Sequence, residues 1–137
     1  MTTATEQTLA DQIGQVLAHL DKVERGKQTT LPTWALTEWD STRATITTVL
    51  EEASLAIIER ERNAYVDDRG RFVMFRIDLG EIKTDYTFLP QLEGSTLWLA
   101  VRRGSVPLIR INLADASVGW LRTWIVKQLL ELVTQRR

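Results

Sequence analysis

Residues 71–79 read RFVMFRIDL, and this stretch decides the fold class of the chain. On an extended backbone Val73, Phe75 and Ile77 fall on one side, whereas Met74 and Arg76 fall on the other. The apolar residues before this stretch repeat near every fourth position instead, which is the spacing of a helix. The change of period predicts a helical first half followed by a β-sheet.

Three further strand-like runs follow the first one, at residues 82–89, 96–102 and 107–113. Turn-forming residues separate the runs: Gly80 with Glu81, Pro90 with Gly94, and Gly104 with Ser105. Because short connections join antiparallel neighbours, we predict a four-stranded antiparallel meander over residues 71–113. Tyr65 and Val66 can add a short strand at its edge.

The first helix is predicted over about residues 8–24. Its apolar side chains recur at helical spacing and are Leu9, Ile13, Val16, Leu17 and Leu20. Thr5 or Thr8 can cap its start, and Gly26 is placed to end it. The opposite side of the helix is polar and is expected to face water.

Residues 28–40 are predicted to form an ordered connector. Pro32 lacks an amide hydrogen and restricts Leu31, which disfavours a long helix through this stretch. The connector contains Trp34 and Trp39, and a flexible linker would not leave two indoles in water. It should therefore be pinned to the body of the domain or to a partner.

A second helix is predicted over about residues 41–62, with Asp40 or Ser41 as its N-cap. Besides its main apolar stripe it carries Leu55 and Ile58 on another side. Because two of its sides are apolar, we predict that this helix is sandwiched, with both sides covered.

The last helix is predicted over residues 117–135, with Asp115 or Ser117 as its N-cap. Its apolar stripe consists of Val118, Leu121, Ile125, Leu129, Leu132 and Val133. Trp120 and Trp124 lie one turn apart and are predicted to point away from the centre of that stripe. Either the rest of the chain or a partner must then cover the two indoles.

The order helix, helix, sheet, helix predicts an α+β fold with the C-terminal amphipathic helix packed on the sheet. The chain has 137 residues, of which 44% are hydrophobic and 26% charged, and this composition is typical of one globular domain over residues 1–137. The absence of cysteine excludes disulfides and thiolate chemistry, and it favours a cytoplasmic location. No apolar run approaches the roughly 18 residues of a membrane span, and the first ten residues lack the pattern of a secretory signal.

Charge is unevenly distributed along the chain. Residues 1–60 carry nine acidic and five basic side chains, and residues 61–115 carry eight of each. The remaining residues carry four basic side chains against Glu131 alone. The two ends can attract one another within the fold, or the basic end can face an acidic partner.

No catalytic, cofactor-binding or metal-binding residues are predicted, so the chain is interpreted as non-enzymatic. His19 is the only histidine, and with no second histidine or cysteine it fits a structural or surface role. The glycines are isolated, unlike those of phosphate-binding loops. No serine lies in a nucleophile motif.

The patterns favour a protein-binding or assembly module, such as an adaptor, a chaperone-like protein, a subunit of a larger complex or a homo-oligomer. The predicted partner-binding residues are Trp34, Trp39, Trp120 and Trp124, because aromatic side chains anchor interfaces. Packing of the same tryptophans on one another inside the monomer is an equally open interpretation.

Single-stranded nucleic-acid binding is the alternative function. Basic side chains on or beside strands that also carry aromatic residues are typical of such proteins, and here they are Arg71, Arg76, Arg102, Arg103 and Arg110. However, acids match bases through this region, and the sequence pI near 5.9 is low for a nucleic-acid module. The arginines can instead pair across strands with Asp78, Asp85 and Glu93.

Overall fold

A computed structural model of the protein describes residues 8–28 and 31–135. The chain divides into two compact units, Met1–Pro32 and Thr33–Arg137. The prediction that residues 1–137 form a single domain stays a prediction.

The first unit contains helix α1, Leu9–Gln28. The hydroxyl of Thr8 accepts a hydrogen bond from the amide of Asp11 at 3.1 Å, which confirms Thr8 as the N-cap. Thr5, the other candidate, lies outside the described residues. Gly26 does not end the helix, which continues two residues further, since a glycine inside a helix costs only about 1 kcal/mol relative to alanine.

The second unit is an α+β fold in which two helices cover one face of a five-stranded antiparallel sheet. Its elements are α2 (Thr33–Glu59), β1 (Asn63–Asp68), β2 (Val73–Asp78), β3 (Lys83–Glu93), β4 (Thr96–Arg103), β5 (Val106–Asn112), a short 3₁₀ helix (Leu113–Asp115) and α3 (Val118–Gln135). The strands lie in the sheet in chain order. The predicted α+β class, the antiparallel meander and the C-terminal helix are confirmed.

The prediction of four strands is wrong by one. The stretch around Tyr65 and Val66 forms a full edge strand, β1, which pairs with β2 over its whole length. Pro90 does not separate two strands but lies inside β3. Because β2 pairs with β3 only as far as Phe88, Pro90 has a single neighbouring strand, where a missing amide hydrogen is tolerated.

The predicted connector over residues 28–40 is also wrong in its second half, because α2 begins at Thr33 and not near residue 41. Pro32 directly precedes the helix, and its missing amide costs little there because the first four amides of a helix have no helical partner. Trp34 and Trp39 therefore lie on the first turns of α2. The helix ends at Glu59, and Glu61, two residues beyond, adopts a left-handed conformation at φ 62°.

The core of the second unit lies between the sheet and the two helices. Val73, Phe75 and Ile77 are at most 1% exposed, which confirms the predicted inward face of residues 71–79. The register places Tyr86 and Phe88 beside them on β3. The helices add further fully buried side chains, which are Ile46 and Leu50 on α2 and Leu121 on α3.

Candidate protein-binding groove

Two of the four predicted partner-binding tryptophans are part of the core. Trp39 is 1% exposed, and its indole donates a hydrogen bond to the carbonyl of Gly70 at 2.7 Å. Trp124 is 8% exposed and packs edge-on against Tyr86 and Phe88, with ring centroids 5.8 and 5.7 Å apart. These two indoles hold α2 and α3 on the sheet.

The other two tryptophans are more accessible. Trp120 is half-buried and stacks on Trp124, with ring centroids 5.9 Å apart. Trp34 lies at the start of α2 and is 44% exposed. The structure thus brings Trp120 and Trp124 together, whereas it places Trp34 and Trp39 at the opposite ends of the first two turns of α2.

Helix α3 is rotated relative to the sequence prediction. Ser117 accepts a hydrogen bond from the amide of Trp120 at 3.1 Å, which confirms it as the N-cap. However, Trp124 points toward the sheet with Leu121, whereas Val133 of the predicted buried stripe is 53% exposed. Ten of the 18 residues of α3 have large apolar side chains, so the part that faces the sheet leaves another apolar part outside.

This outer part of α3 borders a groove of about 520 Å³ between α2 and α3. Most of its lining is apolar: Val49, Ala53, Ala56 and Ile57 of α2, Leu79 after β2, and Ile125, Val126 and Leu129 of α3. The small side chains of Ala53 and Ala56 account for its depth on the α2 side. The groove is open, and its lining is mostly apolar.

Charged residues at the rim of the groove differ in how they are paired. Arg122 of α3 donates two hydrogen bonds to the carboxylate of Glu52 on α2, at 2.9 and 2.8 Å. These bonds hold the pKa of Glu52 below its ordinary value. Arg60 and Arg62 lie at the end of α2, and neither forms an ion pair with another residue of the described chain. The rim therefore carries an excess of positive charge.

An apolar ridge continues from the groove along α3. Val126 is 66% exposed, Leu130 65% and Val133 53%. On α2, Leu55 is 62% and Ile58 47% exposed, so the predicted coverage of α2 on two sides is not observed in the described chain. The helical layer thus presents apolar side chains to solvent where a two-layer fold ordinarily presents polar ones.

The opposite, outer face of the sheet is occupied by paired charges. Arg76 lies over the ring of Tyr65 and forms an ion pair with Asp85 at 3.3 Å. Arg110 lies 4.5 Å from the ring of Trp98 and forms an ion pair with Glu93. These contacts agree with the cross-strand pairing that was the alternative interpretation of the arginines.

The remaining arginines of the nucleic-acid hypothesis do not join Arg76 and Arg110 in one stripe. Arg71 lies in the turn between β1 and β2, and Arg102 lies exposed on β4. Arg103 is placed across from Tyr86 on the covered side of the sheet. Burial raises the pKa of the Tyr86 hydroxyl, and the nearby Arg103 opposes this shift. Of the aromatic residues on the strands, Phe75, Tyr86 and Phe88 are buried and cannot stack on bases.

The turn between β1 and β2 is fixed to α2. Arg43 donates hydrogen bonds to both carboxylate oxygens of Asp68, at 2.9 and 2.7 Å. Asp68 also accepts the amide of Gly70, whose carbonyl accepts the Trp39 indole. The bonds from Arg43 lower the pKa of Asp68, and the Gly70 amide adds to this effect against the opposing effect of burial. These hydrogen bonds hold the β1–β2 turn against α2, and this structural role accounts for the paired charges of Arg43 and Asp68.

Within residues 8–28 and 31–135, no group of three or more histidine, aspartate or glutamate side chains is arranged to hold a metal ion. The side chain of His19 lies outside the described part of the structure. No helix in the described ranges has the length and apolar character needed to cross a membrane. Comparison of the chain with protein-family models, with curated proteins and with solved structures found no match.

Proposed function

We propose that this protein is a non-enzymatic protein-binding module, and that its working surface is the apolar groove between α2 and α3 with the ridge of Val126, Leu130 and Val133. The observation that carries this proposal is an open, largely apolar groove of about 520 Å³ between the two helices. An adaptor, a chaperone-like protein or a subunit of a complex would use such a surface. The cysteine-free composition supports a cytoplasmic setting for it.

The ligand that fits the groove best is an amphipathic helix. The walls on α2 and α3 carry Val, Ile and Leu side chains, and the small Ala53 and Ala56 on α2 leave room for the large side chains of a bound helix, as in the helix-in-groove mode of recognition. Covering the groove stabilises a complex by about 25 cal/mol for each Å² of apolar surface removed from water. The arginines at the end of α2 favour a helix that carries acidic residues.

The surface differs from the one predicted from the tryptophans. Trp39 and Trp124 are used inside the fold, where they position the two helices that form the groove. Trp120 and Trp34 retain accessible area, and neither lines the groove. The proposal therefore rests on aliphatic side chains rather than on indoles.

Selection of peptides from a displayed random library against the immobilised full chain tests this function. We expect the selected peptides to carry apolar residues at positions i, i+3 or i+4, and i+7. Val126→Glu, which puts a charge into the groove, should abolish their binding. Leu55→Glu is the matched control, because it makes the same type of change at an exposed residue that does not line the groove.

Peptides that bind the wild type and Val126→Glu equally well would refute the proposal, as would peptides without a helical pattern. Circular dichroism of both variants confirms that each is folded before its binding is compared.

A further inference from the structure

Helix α1 carries an exposed apolar stripe of the kind that the groove accepts. Leu9 is 72% exposed, Ile13 49%, Val16 67% and Leu17 53%. Their spacing is i, i+4, i+7 and i+8, which is the anchor pattern of helices that dock into apolar grooves. We propose that the occupant of the α2–α3 groove is α1 of a second copy of this chain. This inference rests on the function proposed above and names the partner of the same groove.

The dimensions of the two surfaces match. At a rise of 1.5 Å per residue, the stripe from Leu9 to Leu17 is about 12 Å long. The wall of the groove from Val49 to Arg60 is about 17 Å long on the same basis. The stripe consists of large aliphatic side chains, and the alanines of the groove leave room for them between helix axes at the usual distance of about 8–10 Å.

The charges of the two surfaces are complementary. Asp11 is the only charged residue of the stripe segment, residues 9–17, and the basic residues of α1 (Lys22, Arg25 and Lys27) follow that segment together with Asp21 and Glu24. The charged residues that line the groove are Glu52, Arg60, Arg62 and Arg122, so the groove carries a net positive charge. Attraction between Asp11 and the arginines of the groove favours this segment of α1 as a ligand of the groove.

A second copy of the chain supplies both an α1 stripe and a groove, so the contact between two copies is reciprocal. When two copies exchange their helices, the contact forms twice around a twofold axis. This doubling brings the buried area toward the roughly 1,200–2,000 Å² of stable protein interfaces.

Light scattering across a dilution series of the full chain tests the inference. We expect the wild type to double its mass as concentration rises. Val16→Glu in α1 and Val126→Glu in the groove should each remain monomeric, because each removes one side of the contact. Leu55→Glu, the matched exposed control, should dimerise like the wild type.

Cross-linking identifies the occupant directly, because the chain has no cysteine. We expect a short thiol-specific cross-linker to join Val16→Cys of one copy to Val126→Cys of another. Val16→Cys mixed with Leu55→Cys should give no such product. Double substitution of Val16 and Val126 by Cys should give covalent dimers, and a link within a single chain would overturn the inference by identifying its own α1 as the occupant.

The other outcomes separate the inference from the function beneath it. If Val126→Glu abolishes dimerisation but Val16→Glu does not, α1 is not the occupant, and the groove still binds a second copy. If the wild type stays monomeric, the second-copy inference fails, and the peptide selection alone decides the function. If the wild type dimerises and Val126→Glu leaves the mass unchanged, the inference fails and the groove is not the interface.

Discussion

The outer face of the sheet and the groove between α2 and α3 are both open to solvent, yet they differ in whether their side chains have interaction partners within the chain. On the sheet, Arg110 is held by Trp98 and Glu93, and Arg76 by Tyr65 and Asp85. In the groove, the exposed side chains of Ala56 and Val126 lie among other aliphatic side chains. A binding protein would stabilise the sheet face little, because the charged groups there are already paired within the chain. An apolar surface that fits the groove would stabilise a complex, because it removes apolar area from water.

The largest expected effect concerns Trp124, which packs α3 on the sheet and so positions one wall of the groove. Trp124→Ala should destabilise the fold by about 3–5 kcal/mol, the usual cost of truncating a buried aromatic side chain. Trp34→Ala should cost much less, because Trp34 is 44% exposed. Chemical denaturation of both variants measures the difference. Equal, small losses would mean that α3 does not use Trp124 to pack on the sheet and that the placement of the groove is wrong.

Acid should weaken the link between α2 and the β1–β2 turn. Asp68 has a lowered pKa because of its hydrogen bonds from Arg43. Its carboxylate therefore stabilises the fold above the unfolded pKa of about 3.9, and this contribution is lost as pH falls through the lower folded pKa. Asp68→Asn should be less stable than the wild type at neutral pH, and the difference should shrink toward pH 2.

Denaturation midpoints of Asp68→Asn and the wild type across this pH range provide the measurement. A difference that is constant with pH would show that the carboxylate charge contributes nothing. Asp115→Asn is the control, since Asp115 forms no ion pair within the described chain.

A smaller effect is expected at the end of α2, beside the arginines of the groove. Glu61 adopts a left-handed conformation at φ 62°. The amide of Arg62 donates to the carbonyl of Ile57, and that of Glu61 to Ile58, which is the pattern of a Schellman cap. Glu61→Gly should raise the free energy of unfolding by about 1 kcal/mol, because glycine adopts this conformation without strain. A loss of stability in thermal melting would contradict this account of the helix end.

The smallest effects are expected on the outer face of the sheet. Arg110→Ala should cost at most about 1 kcal/mol, as is usual for exposed ion pairs.

Replacement of Arg102 and Arg103 by Ala tests the nucleic-acid alternative. We expect no salt-dependent binding of single-stranded DNA or RNA by the wild type. Binding that weakens in this double variant, with a shallower salt dependence, would favour the sheet over the groove as the functional surface.

Much of the fold could be predicted from local patterns. The alternation in residues 71–79 identified an inward face that is buried in the structure, and Thr8 and Ser117 were correctly identified as N-caps. Pro32 was misinterpreted because a proline disfavours a helix that passes through it and favours one that starts immediately after it. Pro90 was misinterpreted because a proline is tolerated in a strand where its missing amide faces no neighbouring strand. Whether this holds depends on the register of β2, β3 and β4, which local patterns do not determine.

The groove could not be predicted from the sequence, because it depends on how two helices far apart in the chain are rotated against the sheet. The apolar part of α3 is so wide that the helical wheel did not determine which side faces inward, and Trp124 was assigned to the wrong side. In α2, Leu55 and Ile58 exceed what one buried face requires, yet neither of them lines the groove. That excess indicated an additional apolar surface but not its location.

Methyl NMR of the full chain over a dilution series tests the central claim most directly, because it compares the two surfaces in one sample. The account predicts that methyl resonances of Ala56, Val126 and Leu129 shift together as the concentration rises, while those of Thr87 and Leu89 on the outer sheet face stay constant. Shifts confined to Thr87 and Leu89, or no shift at any concentration, would contradict the claim that a second copy covers the groove.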